Sequence, residues 1–478
     1  MEFVNLKDYI TPQQEKEYYI VTTYINTILL KKTLMSLKTK HPDIPKDNPF
    51  LNCKLDRKKY ADTLTQIIGL HTDGFVLALN NKWGTGKTTF INMWQAQLEM
   101  AGYKTINFNA WENDFENNPL TALMGELRKL AETTDEKTDY KNLLSKGAVL
   151  LKNVAPVIVK AALSKYFDFD KLDDLKIFVE SATKGLTEIF EKDVNDYVQR
   201  KESIKDFKIE LEKFIKETTN GKPLVFIIDE LDRCRPDYAV SVLEQIKHFF
   251  SVESIVFVLS IDKEQLGNAV RGVYNSESID ANEYLRRFID IEYSIPAPNT
   301  ELFVKYLYEL YDFKAFFQRP ERLSNYNFDD EPQLFKNISI ILFKAQNLSL
   351  RQQQKIFVHM RLALRSMGPN NYLFPALFLF LGYIKSVEPQ FYNDISNKTL
   401  SIPQLQIRLK DLLDVNNIEI HVINVYFLEA YLVYFYYAYL DRPNSEWPPL
   451  ITGNGNSTLS YNLYLRRILR RLLTYFVR

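Results

Sequence analysis

Residues Asn80-Asn81-Lys82-Trp83-Gly84-Thr85-Gly86-Lys87-Thr88-Thr89 lie between the apolar run Phe75-Val76-Leu77-Ala78-Leu79 and the stretch Phe90-Ile91-Asn92-Met93-Trp94. A buried strand, a glycine-containing turn and an amphipathic helix, in that order, make the frame of a phosphate-binding loop. The backbone N–H groups of Gly84, Thr85, Gly86 and Lys87 are expected to converge on phosphate at a helix N-terminus, where unpaired donors and the macrodipole favour an anion. Lys87 is expected to reach the β and γ phosphates and Thr88 to place its hydroxyl on Mg²⁺, with Asn81, Trp83 and Thr89 completing the binding segment. Asn81 occupies the first position of GxxxxGK[ST], where glycine is usual. Asparagine tolerates a left-handed backbone better than most residues, so the turn is expected to survive the exchange.

A second stretch supports the first. Leu224-Val225-Phe226-Ile227-Ile228-Asp229-Glu230 is a β-branched apolar run bounded by Asn220-Gly221-Lys222-Pro223 and ending in acids. It predicts a buried parallel strand with carboxylates at its tip. In P-loop enzymes the first such acid orients Mg²⁺ and its neighbour can polarise the attacking water, roles that fall here to Asp229 and Glu230.

Lys82-Trp83-Gly84-Thr85-Gly86-Lys87-Thr88, Phe108-Asn109-Ala110-Trp111-Glu112, Ile228-Asp229-Glu230-Leu231-Asp232-Arg233-Cys234 and Val256-Phe257-Val258-Leu259-Ser260-Ile261-Asp262 follow one another along the chain. In content and order they resemble the KAP family of P-loop NTPases, over about residues 51 to 299. The resemblance implies an α/β P-loop core with a parallel sheet of the additional-strand ATPase type, carrying a helical insertion and a helical C-terminal region. In such ATPases a polar residue at the end of the added strand reads the γ-phosphate. Ser260 and Asp262 are the candidates, and Asp262 is the better family match.

The expected organisation is an N-terminal helical segment and linker over 1–50, an NTPase domain over 51–299 with an insertion at about 120–220, and a helical lid and interaction region over 300–478. A chain of 478 residues can bury a sizeable core. Sixty basic and sixty acidic residues cancel, so global charge gives no reason to expect nucleic acid. Cys53 and Cys234 are too few for a disulfide framework, and the five histidines show no metal-ligand spacing. A reducing cytoplasm is the expectation. Tyr19 to Leu30 is too short to span a membrane, Ala148 to Leu163 is interrupted by Lys152 and Lys160, and Val422 to Leu440 carries Asn424 and Glu429. Members of the resembled family often carry transmembrane helices in the insertion; the two lysines argue against one here.

In order along the chain, Thr11-Pro12 opens a predicted helix to about Lys38, and the prolines between His41 and Pro49 break it. Further helices are predicted over Tyr60–Leu70, Asp237–Phe250, Tyr372–Ile384 and Val425–Leu440, and strands over Lys104–Phe108 and Ile291–Ile295. The charged segment Glu191 to Thr219 predicts a helix with a solvated face. Trp111 is either core or close to nucleotide, and Asp232 with Arg233 either an internal ion pair or a contact to a neighbouring subunit's nucleotide. Glu283-Tyr284-Leu285-Arg286-Arg287 resembles the arginine-finger segment of ring ATPases, with Arg287 as the candidate finger. Ser349-Leu350-Arg351-Gln352 is a capping box opening a helix to about Met367; its place resembles the ATPase lid, in which Arg351 would touch phosphate. In Leu463 to Arg478, Arg466, Arg467, Arg470 and Arg471 share one helical side, as a solvated face or a surface for an acidic partner, phosphate or membrane.

The resulting expectation is a cytoplasmic KAP-like NTPase that binds ATP with Mg²⁺ and hydrolyses it, switching conformation or assembly. The partners foreseen are other copies of the chain and a separately encoded effector, with no membrane. Resemblance to prokaryotic relatives adds anti-phage defence as the setting. The alternatives are a nucleotide-binding scaffold with negligible hydrolysis and a nucleic-acid-stimulated ATPase.

Overall fold

The computed structural model describes residues 42–71, 73–116, 118–134, 137–163, 183–323, 329–367, 373–413 and 422–439. The expected N-terminal helix to Lys38 and the arginine-rich segment from Leu463 lie outside these residues. The chain's described residues divide into two compact units: Pro42–Pro298 with Ser349–Arg351, and the described residues of Asn299–Leu348 and from Gln352 onward.

The first unit is built on five parallel strands, β1 (Phe75–Asn80), β2 (Thr105–Asn109), β3 (Leu224–Asp229), β4 (Ile255–Ile261) and β5 (Ile291–Tyr293), in the spatial order β2-β3-β4-β1-β5. β4 lies between the strand that leads into the glycine loop and the strand that ends in Asp229. Every residue of β3 and β4 is buried, as continuous apolar runs require when both faces of a parallel sheet are covered.

The period of two sorts these side chains. Leu77, Leu79, Val225, Ile227, Val256 and Val258 enter one core, with Ala61, Leu64 and Ile68 of α1 (Lys58–Leu70) and Phe90 and Trp94 of α2 (Lys87–Met100). Ala78, Phe226, Ile228, Phe257 and Leu259 face the opposite core. There they meet side chains from α3 (Pro119–Thr134), α4 (Lys137–Leu163), α5 (Thr183–Thr219), α6 (Pro236–His248) and α7 (Lys263–Tyr274). Each such side chain taken fully from water contributes about 1.5–3 kcal/mol, so a charge introduced into β3 or β4 would break the sheet.

In α5 the charged segment also has an apolar stripe. Phe207, Leu211, Phe214 and Ile215 are buried at helical spacing, while Lys216 pairs with Glu212 (2.6 Å) on the wet side. After α8 (Ala281–Arg286), β5 ends at Tyr293, short of the expected Ile295. Ile295 is held instead by a side chain, that of Asn81. β2 runs one residue later than expected and so ends on Asn109.

The second unit is helical over its described residues. α9 (Thr300–Leu310) is capped by Asn299, whose Oδ1 accepts from the N–H groups of Glu301 (2.7 Å) and Leu302 (3.4 Å). The rings of Phe313, Phe335 and Phe357 pack at centroid separations of 4.9 to 5.6 Å. The helix Pro375–Val387 starts on its proline, three residues after the expected start, because proline suits the first turn and lacks only a donor that has no partner there. The helix Leu350–Ala363 gives way to a 3₁₀ turn over Leu364–Ser366, before the expected Met367. Glu429, in the aromatic helix Val422–Tyr439, is fully buried and accepts from Gln406 Nε2 (2.8 Å). No helix among the described residues is long and apolar enough to cross a membrane.

Candidate functional site

Parallel pairing puts the carboxyl ends of four strands in one transverse row: Asn109 opposite Asp229, Asp229 opposite Ser260, and Ser260 opposite Leu79. The glycine loop leaves β1 from the end of this row. Ligands of open α/β sheets gather beyond that edge.

In the loop, Gly84 (φ +77°) and Gly86 (φ +83°) take the left-handed backbone, and Asn81 does not. The expectation that Asn81 keeps a left-handed turn is therefore corrected. Its carboxamide instead bridges to the chain after β5, Nδ2 donating to Ile295 O (2.8 Å) and Oδ1 accepting from Ile295 N–H (3.0 Å). Asn80 makes a similar tie, its Oδ1 accepting from Lys263 N–H (3.0 Å) and its Nδ2 donating to Glu292 (2.8 Å). The two asparagines moor the base of the loop to its neighbours on both sides.

α2 starts at Lys87, so Lys87, Thr88 and Thr89 form its first turn. Lys87 Nζ donates to Asn81 O, closing the loop on itself. Burial pulls the Lys87 pKa below its ordinary value, opposed by the carboxylates of Asp232, Asp262 and Asp229. A half-buried ammonium in the field of three acids is an electrostatic centre suited to a polyanion with a metal ion.

The acids are held differently from one another. Asp229 is buried at the tip of β3, and its Oδ1 accepts from Glu230 N–H (2.9 Å). Glu230 has a left-handed backbone (φ +62°), uncommon for a residue other than glycine. It forms a salt bridge with Arg233 (2.6 Å) and accepts from Asn109 Nδ2 (3.3 Å). Burial raises the Glu230 pKa, with Arg233 pulling the other way. Asp232 accepts from the Trp83 indole and from Asp262 N–H (3.0 Å), so Asp232 and Arg233 are not paired with each other. Asp262 is buried and caps α7 through Gln265 N–H (3.4 Å), while the Ser260 hydroxyl, also buried, has no hydrogen-bond partner among the described residues.

Trp111 is 53 % exposed and is not core. The Arg233 guanidinium lies 5.8 Å from its ring centre, so Trp111, Arg233, Glu230 and Asn109 form one chain of contacts. Asn109 Oδ1 also accepts from the N–H groups of Trp111 (3.1 Å) and Glu112 (3.2 Å). Arg235 clamps the end of this turn, its Nε donating to Asp114 Oδ1 (2.9 Å). The segment Asn109-Ala110-Trp111-Glu112 is expected to lie near nucleotide or to line a contact that senses it, and the structure makes Asn109 the last residue of β2, in contact with Glu230.

Arg351 meets the loop through its backbone, its N–H donating to Gly84 O (3.1 Å), with an exposed side chain. Arg287 is not brought to the loop. It precedes β5, at the amino edge of a parallel sheet whose loop leaves the carboxyl edge, and its side chain is exposed with no ion pair among the described residues. Arg286 pairs with Glu283 (3.0 Å). Cys234 is buried, which pushes its thiol pKa up to about 12 and leaves it unreactive at neutral pH.

A glycine loop on a helix N-terminus, beside a buried strand tipped with acids, defines an α/β P-loop nucleotide-binding core. The chain belongs to the KAP family of P-loop NTPases: the model described as the KAP family P-loop domain matches residues 57–369, more than half of its length. Comparison with curated proteins found no significant match.

Proposed function

We propose that the chain binds ATP with Mg²⁺ and hydrolyses it, and that the cycle switches its conformation or assembly. The observation that carries this reading is Lys87, half-buried at the head of α2 and held in the electrostatic field of Asp232, Asp262 and Asp229 at the carboxyl edge of the sheet. Thr88 and Asp229 are the metal-binding pair. Asp229 Oδ2 has no hydrogen-bond partner among the described residues, and a hard oxygen donor of this kind suits Mg²⁺. Among the described residues no group of three or more His, Cys, Asp or Glu side chains could hold a metal by itself. Bound Mg²⁺ would neutralise charge on the β and γ phosphates.

The chain's own residues do the rest. Backbone N–H groups from Gly84 to Lys87 receive phosphate oxygens, with Asn81, Trp83, Thr89 and Arg351 holding the loop's edges. Lys87 turns from Asn81 O to phosphate. Glu230 leaves Arg233 and orients water, while Asp262 senses the γ-phosphate through its links to Asp232 and α7. Arg287 acts in trans, from a second copy of the chain, since its own loop is at the other edge of the sheet. A homo-oligomer signalling to a separate effector in the cytoplasm, in an anti-phage setting, extends the reading.

The second reading, a scaffold that binds nucleotide without turnover, is favoured by the Arg233–Glu230 salt bridge, which occupies the catalytic carboxylate. ATP hydrolysis and mass, measured with and without Mg·ATP on wild type, Lys87→Ala and Glu230→Gln, separate the two. Turnover by wild type alone, with ATP retained and a larger assembly accumulated by Glu230→Gln, supports the switch. Binding without turnover in wild type leaves the scaffold.

A further inference from the structure

Arg57 lies in Asp56-Arg57-Lys58-Lys59, a run that reads as surface charge, yet the residue is only 5 % exposed. It sits at the head of α1, and its guanidinium passes under the glycine loop. Nη2 donates to Thr85 O (2.8 Å) and Nη1 to Gly86 O (3.1 Å). Nε is buried with no hydrogen-bond partner, and no carboxylate forms a salt bridge with the group among the described residues. Burial lowers its pKa, and the neighbours acting on it are Cys53 and Tyr60 rather than acids. Arginine still keeps its charge. Gly86 has a left-handed backbone (φ +83°), and a Cβ there would stand 3.1 Å from Arg57 Nη1, a tight contact that the guanidinium would have to yield to.

In a trans peptide the C=O and N–H of one unit point in opposite directions. The two carbonyls that Arg57 holds belong to the peptide units whose N–H groups are those of Gly86 and Lys87. Fixing and polarising the carbonyl side therefore aims and strengthens those donors on the other side. The Gly86 carbonyl also accepts from Phe90 N–H (3.2 Å), so both its lone pairs are used and the first turn of α2 is tied to the same point. A buried cation without a counter-ion is costly in a fold. A polyanion on the far face of those peptides would supply the missing charge.

Resting on the phosphate-binding reading of the loop, we propose that Arg57 is a positioning residue for nucleotide, holding the Gly86 and Lys87 donors on the phosphates from behind and contributing an otherwise uncompensated positive charge.

The test is calorimetric binding of Mg·ATP and Mg·ADP to the full chain as wild type, Arg57→Met, Arg57→Lys and Lys87→Ala, with thermal melting of each ligand-free protein. The expected result is a dissociation constant raised about 10- to 100-fold in Arg57→Met with a melting temperature equal to or above that of wild type. Arg57→Lys recovers part of the affinity by its charge but not all, lacking the fork. In steady-state turnover KM rises more than kcat falls, because the contact acts on bound substrate and transition state alike. Affinity in Arg57→Met within twofold of wild type overturns the proposal while leaving nucleotide binding in place, as does a loss of melting temperature with unchanged affinity. Should Arg57→Met not fold, Arg57→Lys decides by the same affinity criterion. If wild type itself binds neither nucleotide, the reading of the loop and the proposal fall together.

Discussion

Replacing Arg233 with methionine should release the carboxylate that the proposed chemistry needs. Glu230 and Arg233 are 2.6 Å apart, with side chains 14 % and 25 % exposed. A hydrogen bond to a charged partner is worth about 1.5–3 kcal/mol, and partial exposure reduces that to about 1–2 kcal/mol. Glu230 must leave this contact to orient water. Removing the contact should therefore raise the competent population, and with it single-turnover hydrolysis, by about 5- to 30-fold. Asn109 still holds the other carboxylate oxygen, which sets the gain below complete release. The pH profile moves as well. Burial raises the Glu230 pKa and Arg233 lowers it, so the variant's carboxyl titrates higher and the acid limb of its rate profile shifts to higher pH. The assay is single-turnover ATP hydrolysis at saturating enzyme across pH, with Glu230→Gln as the floor. If Arg233→Met binds Mg·ATP normally yet hydrolyses it no faster than wild type, the salt bridge is not a restraint on Glu230. Arg233 would then serve the reaction directly.

Asn81→Gly restores the usual residue of the motif, yet it removes both side-chain bonds to Ile295 and should cost about 1–3 kcal/mol in chemical denaturation; an unchanged midpoint would deny the mooring role. The Glu292 pKa is lowered, chiefly by the Lys263 hydrogen bond, so its stabilising effect is complete above the ordinary value of 4.5 and fades as pH falls through the folded-state value. Glu292→Gln should therefore melt closer to wild type in acid than at pH 7, and a constant difference would refute that linkage.

The strands β3 and β4 were legible in the chain because parallel strands covered on both faces need unbroken apolar runs, and no competing period interrupts them. The phosphate loop was legible for a similar reason: strand, glycines and helix are contiguous, so the geometry is local. Arg57 was not, since nothing in Asp56-Arg57-Lys58-Lys59 distinguishes a buried guanidinium from its exposed neighbours. The part played by Asn81 was misjudged for the same cause. A motif position suggests backbone freedom, but the residue's side chain is engaged by Ile295, over two hundred positions away.

From its residues alone, then, the chain determines which segments are strands, where the phosphate loop lies and which acids tip β3. These follow from apolar period and from turn chemistry that acts over a few residues. Tertiary structure decides who meets whom at the edge of the sheet: Glu230 with Arg233 and Asn109, Asp232 with Trp83, and Arg57 with the loop carbonyls. Strand order and register bring distant ends into one row, and a local pattern of apolar and polar residues does not encode either.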